Sequence, residues 1–327
     1  MDINQIAQMA GVSRATVSRY FNDGYVSQEK RAAIKRVIDK TGYVPSRQAK
    51  VLRTGKTDIV GVIIPKINSA SVSRMVSGIT PVLNDAGYQV LLANTDNDAA
   101  REVEFMRLFS ERRQVDGVIL VATIFTPAHL AALKELNTPL VVLDQSLSGY
   151  SCVYQDDYEA VRELTGQVLA TAKAPAYIGV LEEDVSAGEM RHRGFLDACR
   201  ECGVEVPEDA QELAEFTVDS GYSCAEAIMQ ARPHTDAIVC ATDSIAFGAL
   251  TYLHEHGLRV PEDVQVTGVG DSELAQVVTP RLTTVHHHYK TSGQEAAKML
   301  LGTMSGDDTV ARTVKMAYEI VRRASTR

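Results

Sequence analysis

Residues 2–22 read DINQIAQMAGVSRATVSRYFN, and the assignment of the whole chain turns on this stretch. Asp2 is a helix-capping residue, and Ile3, Ile6, Ala7 and Ala10 recur at helical spacing, which predicts a first helix over Ile3 to Met9. Gly11 permits a tight turn, and Ser13 stands where it can cap a second helix, Arg14 to Phe21, that buries Val17 and Phe21. Asn22-Asp23-Gly24 ends that helix with turn chemistry. Ser27 opens a third, amphipathic helix through Lys40, with Ala33, Ile34, Val37 and Ile38 inward and Thr41-Gly42 closing it. Two helices joined by a short turn with a glycine, the second opening on a serine cap, make a helix-turn-helix.

Such a motif presents the N-terminal end of its second helix to the major groove. Arg14 and Arg19 can each donate two bonds to guanine O6 and N7, while Ala15 offers a methyl suited to a thymine methyl or a close approach. Thr16, Ser18 and Asn22 suit phosphates, which fix register without reading sequence. Charge agrees. Residues 1–57 hold eleven Lys/Arg against four acids, a net of +7, so the other 270 residues carry −16 of the total −9. A basic head on an acidic body implies phosphate contacts at one end only.

The remaining composition sets bounds. At 327 residues with 45% apolar and 23% charged side chains, the chain has the make-up of a globular protein of two or three domains. No run approaches the roughly 18 apolar residues of a membrane helix, and MDINQIAQMAGVS lacks an export signal, which predicts a cytoplasmic protein with no membrane partner. Five scattered cysteines, at 152, 199, 202, 224 and 240, fit reduced thiols.

From Asp58 onward, apolar runs at 58–64, 88–93, 115–121, 139–144, 176–181, 235–241 and 263–269 read as buried parallel strands. Helical stretches alternate with them at 72–86, 99–113, 127–136, 157–171, 188–202, 220–231 and 243–257. Repeated β-α units of this length make doubly wound α/β sheets, and seven or more units predict two of them, with ligand bound beyond the strands' carboxyl ends. The residues that follow those ends are Lys66 to Ser73, Asp144-Gln145, Asp156-Asp157, Glu182 to Arg191, Thr242-Asp243, Gly270-Asp271 and His286 to Tyr289. Between head and body, Ser46 and Gly55 bracket a helix of two turns, too short to be stable unless something packs on it.

The string Ile6-Ala7-x-x-Ala10-Gly11-Val12-Ser13-x-x-Thr16-Val17-Ser18-Arg19, with Asn22, Val26-Ser27, Gly42-Tyr43-x-Pro45 and Arg47-x-Ala49, resembles the signature of the LacI/GalR family of transcriptional regulators. Gln5 and Tyr20 depart from it, standing where the family usually has Asp and an aliphatic. The likeness extends over nearly the entire chain. It implies a helix-turn-helix domain at 1–45, a hinge helix and linker at 46–57, and a two-lobed, periplasmic-binding-protein-like core at 58–327. Lobe 1 would hold about 58–154 and 287–311, and lobe 2 about 155–286 and 312–327. In the family the hinge helices pair across a homodimer in the minor groove of a pseudo-palindromic operator. Arg47, Ala49, Lys50 and Leu52 are the matching positions here, Leu52 as the apolar wedge in kinked DNA.

The same resemblance implies a small carbohydrate effector between the lobes. Arg191, in Arg-x-x-Gly194-Phe195, would bridge sugar hydroxyls or an anionic group, Asp144 would accept hydroxyl hydrogens and Phe216 would stack on a sugar face. Lys66, Ser69, Ser71, Thr242, Asp271, His287 and Tyr289 complete the expected contacts, and Asp243 is either a contact or a helix cap. Gly270 stands where most members have Asp, and Ser71 and Val72 replace aromatics. CATDSIAFGALTYL (240–253) with Gly268-Val-Gly-Asp271 resembles the trehalose- and sucrose/fructose-type repressors more than the lactose type. The expectation is a repressor of a carbohydrate-utilisation operon answering to sucrose, trehalose or a 6-phosphate. The alternative is a regulator of the same family whose ligand or partner promotes DNA binding.

Other motifs lead nowhere. Cys199-x-x-Cys202 has no second pair, and on an extended segment His286-His287-His288 alternate in direction and cannot converge on one metal. Gly268-Val-Gly270 lacks a dinucleotide loop's third glycine, Glu273 standing there. With no nucleophile elbow or phosphate loop, neither an enzyme nor a cofactor is expected. A transport solute-binding protein would not carry the basic head.

Overall fold

The protein is described by a computed structural model at residues 1–22, 24–43, 51, 55–111 and 114–327. It divides into two compact units, Met1–Thr57 and Asp58–Arg327. The predicted hinge residues Arg47, Ala49, Lys50 and Leu52 lie outside the described residues.

The first unit is three helices, α1 (Ile3–Met9), α2 (Arg14–Phe21) and α3 (Gln28–Thr41). Asp2 caps α1 by accepting from the amides of Asn4 and Gln5, each at 2.9 Å, while the Gln5 side chain accepts from the Asp2 amide at 2.9 Å. Gln5 is therefore half of a capping box, which a residue with a shorter side chain would span less well. Gly11 turns the chain at φ +65°, and Ser13 accepts the Thr16 amide at 3.2 Å to start α2. Ile6, Ala7, Val17 and Ile34 form the centre of this unit, with Phe21 and Tyr43 against it. Ser27 occupies the N-cap of α3 without a side-chain cap bond, and Gly42 ends that helix in the left-handed region.

The second unit contains two sheets, each of six strands among the described residues. Its strands are β1 (Ile59–Ile64), β2 (Gln89–Asn94), β3 (Gly117–Val121), β4 (Leu140–Leu143), β5 (Ser151–Gln155), β6 (Pro175–Gly179), β7 (Gln211–Leu213), β8 (Ala237–Cys240), β9 (Gln265–Val269), β10 (Thr283–His287), β11 (Thr313–Met316) and β12 (Tyr318–Val321). Its helices are α4 (Ala70–Asp85), α5 (Ala99–Glu111), α6 (Pro127–Glu135), α7 (Asp157–Leu169), α8 (Arg191–Glu201), α9 (Val218–Ala231), α10 (Asp243–Glu255) and α11 (Tyr289–Ser305). The first sheet runs β11-β5-β4-β3-β1-β2 and the second β12-β10-β9-β8-β6-β7. All pairings are parallel except β10 with β12. The central strands β3, β4, β6, β8 and β9 are buried throughout, as strands covered on both faces must be.

The chain passes between the sheets three times, after β5, after β10 and between β11 and β12. The last passage corrects the expected lobe limits. Residues 313–316 pair in parallel with β5 in the first sheet, so the return to the second lobe falls at residue 317 and not at 312. β5, β7, β10 and α11 lie outside the strand and helix ranges expected from the sequence. The last packs on α4 almost backbone to backbone. A Cβ on Gly78 would lie 1.9 Å from the Lys290 carbonyl oxygen, and one on Gly293 2.1 Å from that of Met75.

Candidate functional site

In the first unit, α2 is an exposed reading surface. Arg14, Ala15 and Arg19 are exposed, Thr16 and Ser18 are partly so, and Val17 turns the opposite way into the core. The polar residues assigned to phosphates are partly engaged within the helix. The Thr16 hydroxyl lies 2.9 Å from that of Ser13 at the cap, and the Asn22 amide group donates to the Ser18 carbonyl. Arg31 stacks over the Tyr20 ring at 5.3 Å, which gives that departure from the family pattern a packing role. Tyr25, just beyond α2, carried no periodic signal and is 91% exposed.

In the second unit the candidate cleft is built around Arg191. The Arg-x-x-Gly-Phe motif explains how it is placed. Phe195 is fully buried and stacks on Tyr177 at 4.9 Å, anchoring α8. A Cβ on Gly194 would sit 2.4 Å from the Tyr158 carbonyl oxygen, so glycine lets α8 press against the start of α7. That contact brings Arg191 Nε to 2.7 Å from Asp157 Oδ1, while Nη1 donates to the Ala241 carbonyl at 2.6 Å. His287 Nε2 lies 3.2 Å from the same Asp157 oxygen. All three side chains are nearly or fully buried. Burial opposes the charge on Asp157, but Arg191 and then His287 overcome it and hold the carboxyl below its ordinary range. Burial opposes the Arg191 charge too, and Asp157 restores it, leaving the guanidinium firmly protonated. Burial pushes His287 below the usual imidazole value against the pull of Asp157.

Before α8, Val185–Met190 winds as one π-helical turn capped by Asp184, whose Oδ1 accepts the Ala187 amide at 3.1 Å. Such turns recur at functional sites because they re-aim the following side chains. This one also joins the lobes. Gln145 Nε2 donates to Asp184 Oδ1 at 3.0 Å, and the Ser186 hydroxyl donates to the Asp144 carbonyl at 2.7 Å. Asp144 itself has φ +76°, in the left-handed region where a non-glycine residue stores strain. Burial first, then the Asp157 and Asp184 charges, push its carboxyl up to about 8, against Arg191. Burial pushes Asp184 up to about 6. Tyr289 is buried, with Arg74 over its ring at 5.0 Å and His287 at 5.5 Å, and burial raises its phenol.

Of the ten expected effector residues, Asp144, Arg191, His287 and Tyr289 therefore share one electrostatic cluster. The others are placed differently. Thr242 is the cap of α10, accepting the Ile245 amide at 3.3 Å, and Asp243 is the helix's first residue and not its cap. Asp243 is buried and accepts from the Ser272 amide at 2.7 Å and the Thr284 hydroxyl at 2.5 Å, a structural latch. Both carboxylate oxygens of Asp271 are taken, Oδ1 by Arg323 at 2.5 Å and Oδ2 by His286 Nδ1 at 2.8 Å. Ser69 and Ser71 bond each other at 2.9 Å at the start of α4, and Lys66 is half-buried after β1. Phe216 is 42% exposed after β7. The sequence pointed to the loops of Asp157, Asp184 and Gln145 but not to these side chains, and it missed Arg74. Arg74 crosses from α4 to donate to the Gly270 carbonyl and, at 3.3 Å, to that of Asp271.

No helix among the described residues is long and apolar enough to cross a membrane. Residues 2–46 match the family model for bacterial regulatory proteins of the lacI family, and residues 171–326 that for a periplasmic binding protein-like domain. The chain is 31% identical over 301 residues to the sucrose operon repressor of Staphylococcus xylosus, covering 91% of this chain and 92% of that protein. Among solved structures, a transcriptional regulator CelR–cellobiose complex superposes with a TM-score of 0.77 at 28% identity, over 99% of both chains. The lac repressor dimer bound to operator and the anti-inducer ONPF shares the fold, with a TM-score of 0.91 at 22% identity over 100% of this chain and 99% of that one. The chain belongs to the lacI family of bacterial regulatory proteins and is a DNA-binding regulator of transcription.

Proposed function

We propose that the protein is a homodimeric, cytoplasmic repressor of a carbohydrate-utilisation operon, released from a pseudo-palindromic operator by a sugar bound between its lobes. The observation that carries the reading is the Arg191–Asp157–His287 cluster, set where two parallel sheets present their carboxyl ends and where both lobes contribute polar groups. A guanidinium fixed by a carboxylate is pre-aimed at adjacent hydroxyls. The cellobiose in the CelR complex and the sucrose operon of the Staphylococcus relative support a carbohydrate.

Arg14, Ala15 and Arg19 read bases, and Thr16, Ser18 and Asn22 set register on the phosphates. Arg47, Ala49, Lys50 and Leu52 form the hinge contact, with Leu52 wedged in the minor groove. Sugar and operator then weaken each other reciprocally, because both bias one equilibrium. The test is selection of a binding sequence from random DNA, followed by titration of that complex with mono- and disaccharides. A palindromic site released by one sugar is expected; a site insensitive to every sugar would sink the reading, and a sugar that tightens the complex would reverse its sign. Leu52→Ala should weaken operator binding at least about tenfold and leave sugar affinity intact.

A further inference from the structure

Taking α2 as the reading helix, we propose that Arg31, on α3, binds an operator phosphate and that Tyr20, on α2, is the positioning residue that holds it for that contact. The shape of α2 points to the side on which this happens. Residues four apart share a helix face, so Ala15 and Arg19 form the outward face and Val17 lies opposite, in the core. Thr16 and Tyr20 then make one flank, and Arg14 and Ser18 the other. The major groove is about 12 Å wide and a helix with its side chains about 10–12 Å across, so a helix seated there meets a sugar-phosphate strand along each flank. Tyr20 is half-buried on the first flank, and the Arg31 guanidinium lies over its ring, 5.3 Å from the centroid.

The kind of contact matters. A carboxylate that fixed Arg31 would also cancel its charge, and a phosphate would have to displace it. An aromatic face restrains the long side chain but leaves the charge intact, with the N–H groups at the edge of the guanidinium ready to donate. Arg31 is exposed and has no ion-pair partner among the described residues. Such an edge can give two parallel hydrogen bonds to phosphate oxygens. An aliphatic residue at position 20, usual in the family, would fill the same space on the core without holding the guanidinium. The contact reads no base. It adds to the salt-dependent part of the affinity and fixes the register of α2 in the groove.

The experiment measures the affinity of the full chain for its selected operator by fluorescence anisotropy, over a salt range of about 0.05–0.2 M. Arg31→Ala should lower the slope of log affinity against log salt by about 0.9 per head, about 1.8 for a dimer, and weaken binding on the order of tenfold or more at the low-salt end. The sequence selected from random DNA should stay the same. Tyr20→Leu should reproduce most of that loss, Tyr20→Phe little of it, and the losses of Tyr20→Leu and Arg31→Ala should not add in the double variant. Lys40→Ala, which removes an exposed cation farther along α3, should leave the slope close to that of the unaltered chain. If Tyr20→Leu unfolds the head, Tyr20→Phe and Arg31→Ala still decide, since the first keeps the ring and the second changes only an exposed residue.

An unchanged slope with Arg31→Ala overturns the phosphate contact, and additive losses overturn the role of Tyr20. A slope that falls as far with Lys40→Ala assigns the effect to the general charge of the head and overturns both. Sequence preference separates this proposal from the reading on which it rests. If Arg14→Ala and Arg19→Ala leave the selected sequence unchanged, α2 is not the reading helix and both fall. If they alter it while Arg31→Ala leaves the slope untouched, this proposal falls alone.

Discussion

The DNA-reading helix and the effector cleft solve opposite problems. On α2, Arg14 and Arg19 stand exposed, on a helix whose cap, turn and core contacts lie within the same short unit. In the cleft, Arg191 is bound to Asp157, 34 residues away, and to the Ala241 carbonyl, 50 residues away, before any ligand arrives. An exposed cation costs little to hold ready, because water solvates it. A buried one must be paired, so its surroundings are built first and its ligand meets a finished network. The head is therefore tolerant in its reading residues, and the cleft is not.

Arg191→Ala is the hardest test of that contrast. Leaving Asp157 buried without its guanidinium, with His287 alone beside it, should cost about 3 kcal/mol of stability, read as a lowered urea midpoint, together with loss of any sugar response. A stable variant that still responds would show that the pair is dispensable. Next comes the pH dependence of Asp144. Its carboxyl is raised to about 8, so the native state holds the proton more tightly than the unfolded chain. Its contribution to stability is thus fully present below about pH 4 and is lost progressively as pH rises through 8. Asp144→Asn should flatten that part of the urea-midpoint profile; an unchanged profile would place the titration elsewhere.

On the head, Arg14→Ala should weaken operator binding by about 1–3 kcal/mol and relax preference at one base position, with the fold unchanged. Repeating the binding-site selection with the variant checks it, and retained preference at every position would move the reading role to another residue. The smallest effect is at Asp2→Ala, which removes the acceptor of the α1 capping box. It should lower the melting midpoint of this unit slightly, and a large loss would mean that the box does more than close a helix end.

The same contrast explains what could be read from the sequence. Capping residues, a turn glycine and the inward Val17 all lie within 22 residues, and local chemistry of that kind sets α1 and α2 to the residue. The buried strands were legible for a similar reason, as unbroken apolar runs. β7 has three residues, Gln211–Leu213, too few for any period, and β5 mixes Cys152 and Val153 with polar neighbours at the sheet's crossover end. α11 is rich in Gly, Ser and Thr, which are weak helix formers, because it must approach α4 closely. In the cleft, Arg191 was visible through its motif. Its partner Asp157, the bridging Gln145–Asp184 bond and the diversion of Asp271 to Arg323 were not, since each depends on strands far apart in the chain meeting at one edge.

The third passage of the chain has a consequence for where damage can be tolerated. β11 and β12 are consecutive yet belong to different sheets, each as an edge strand. Beyond them Ser325 is fully buried, donating to the Val266 carbonyl at 2.6 Å and accepting the Thr283 amide at 2.8 Å. A stop codon near residue 312 would thus strip a border from both lobes at once and unpick the seam that fastens the second. Neither lobe could be cut out of the gene as one continuous piece, and a frameshift in the last few codons would be felt in the core.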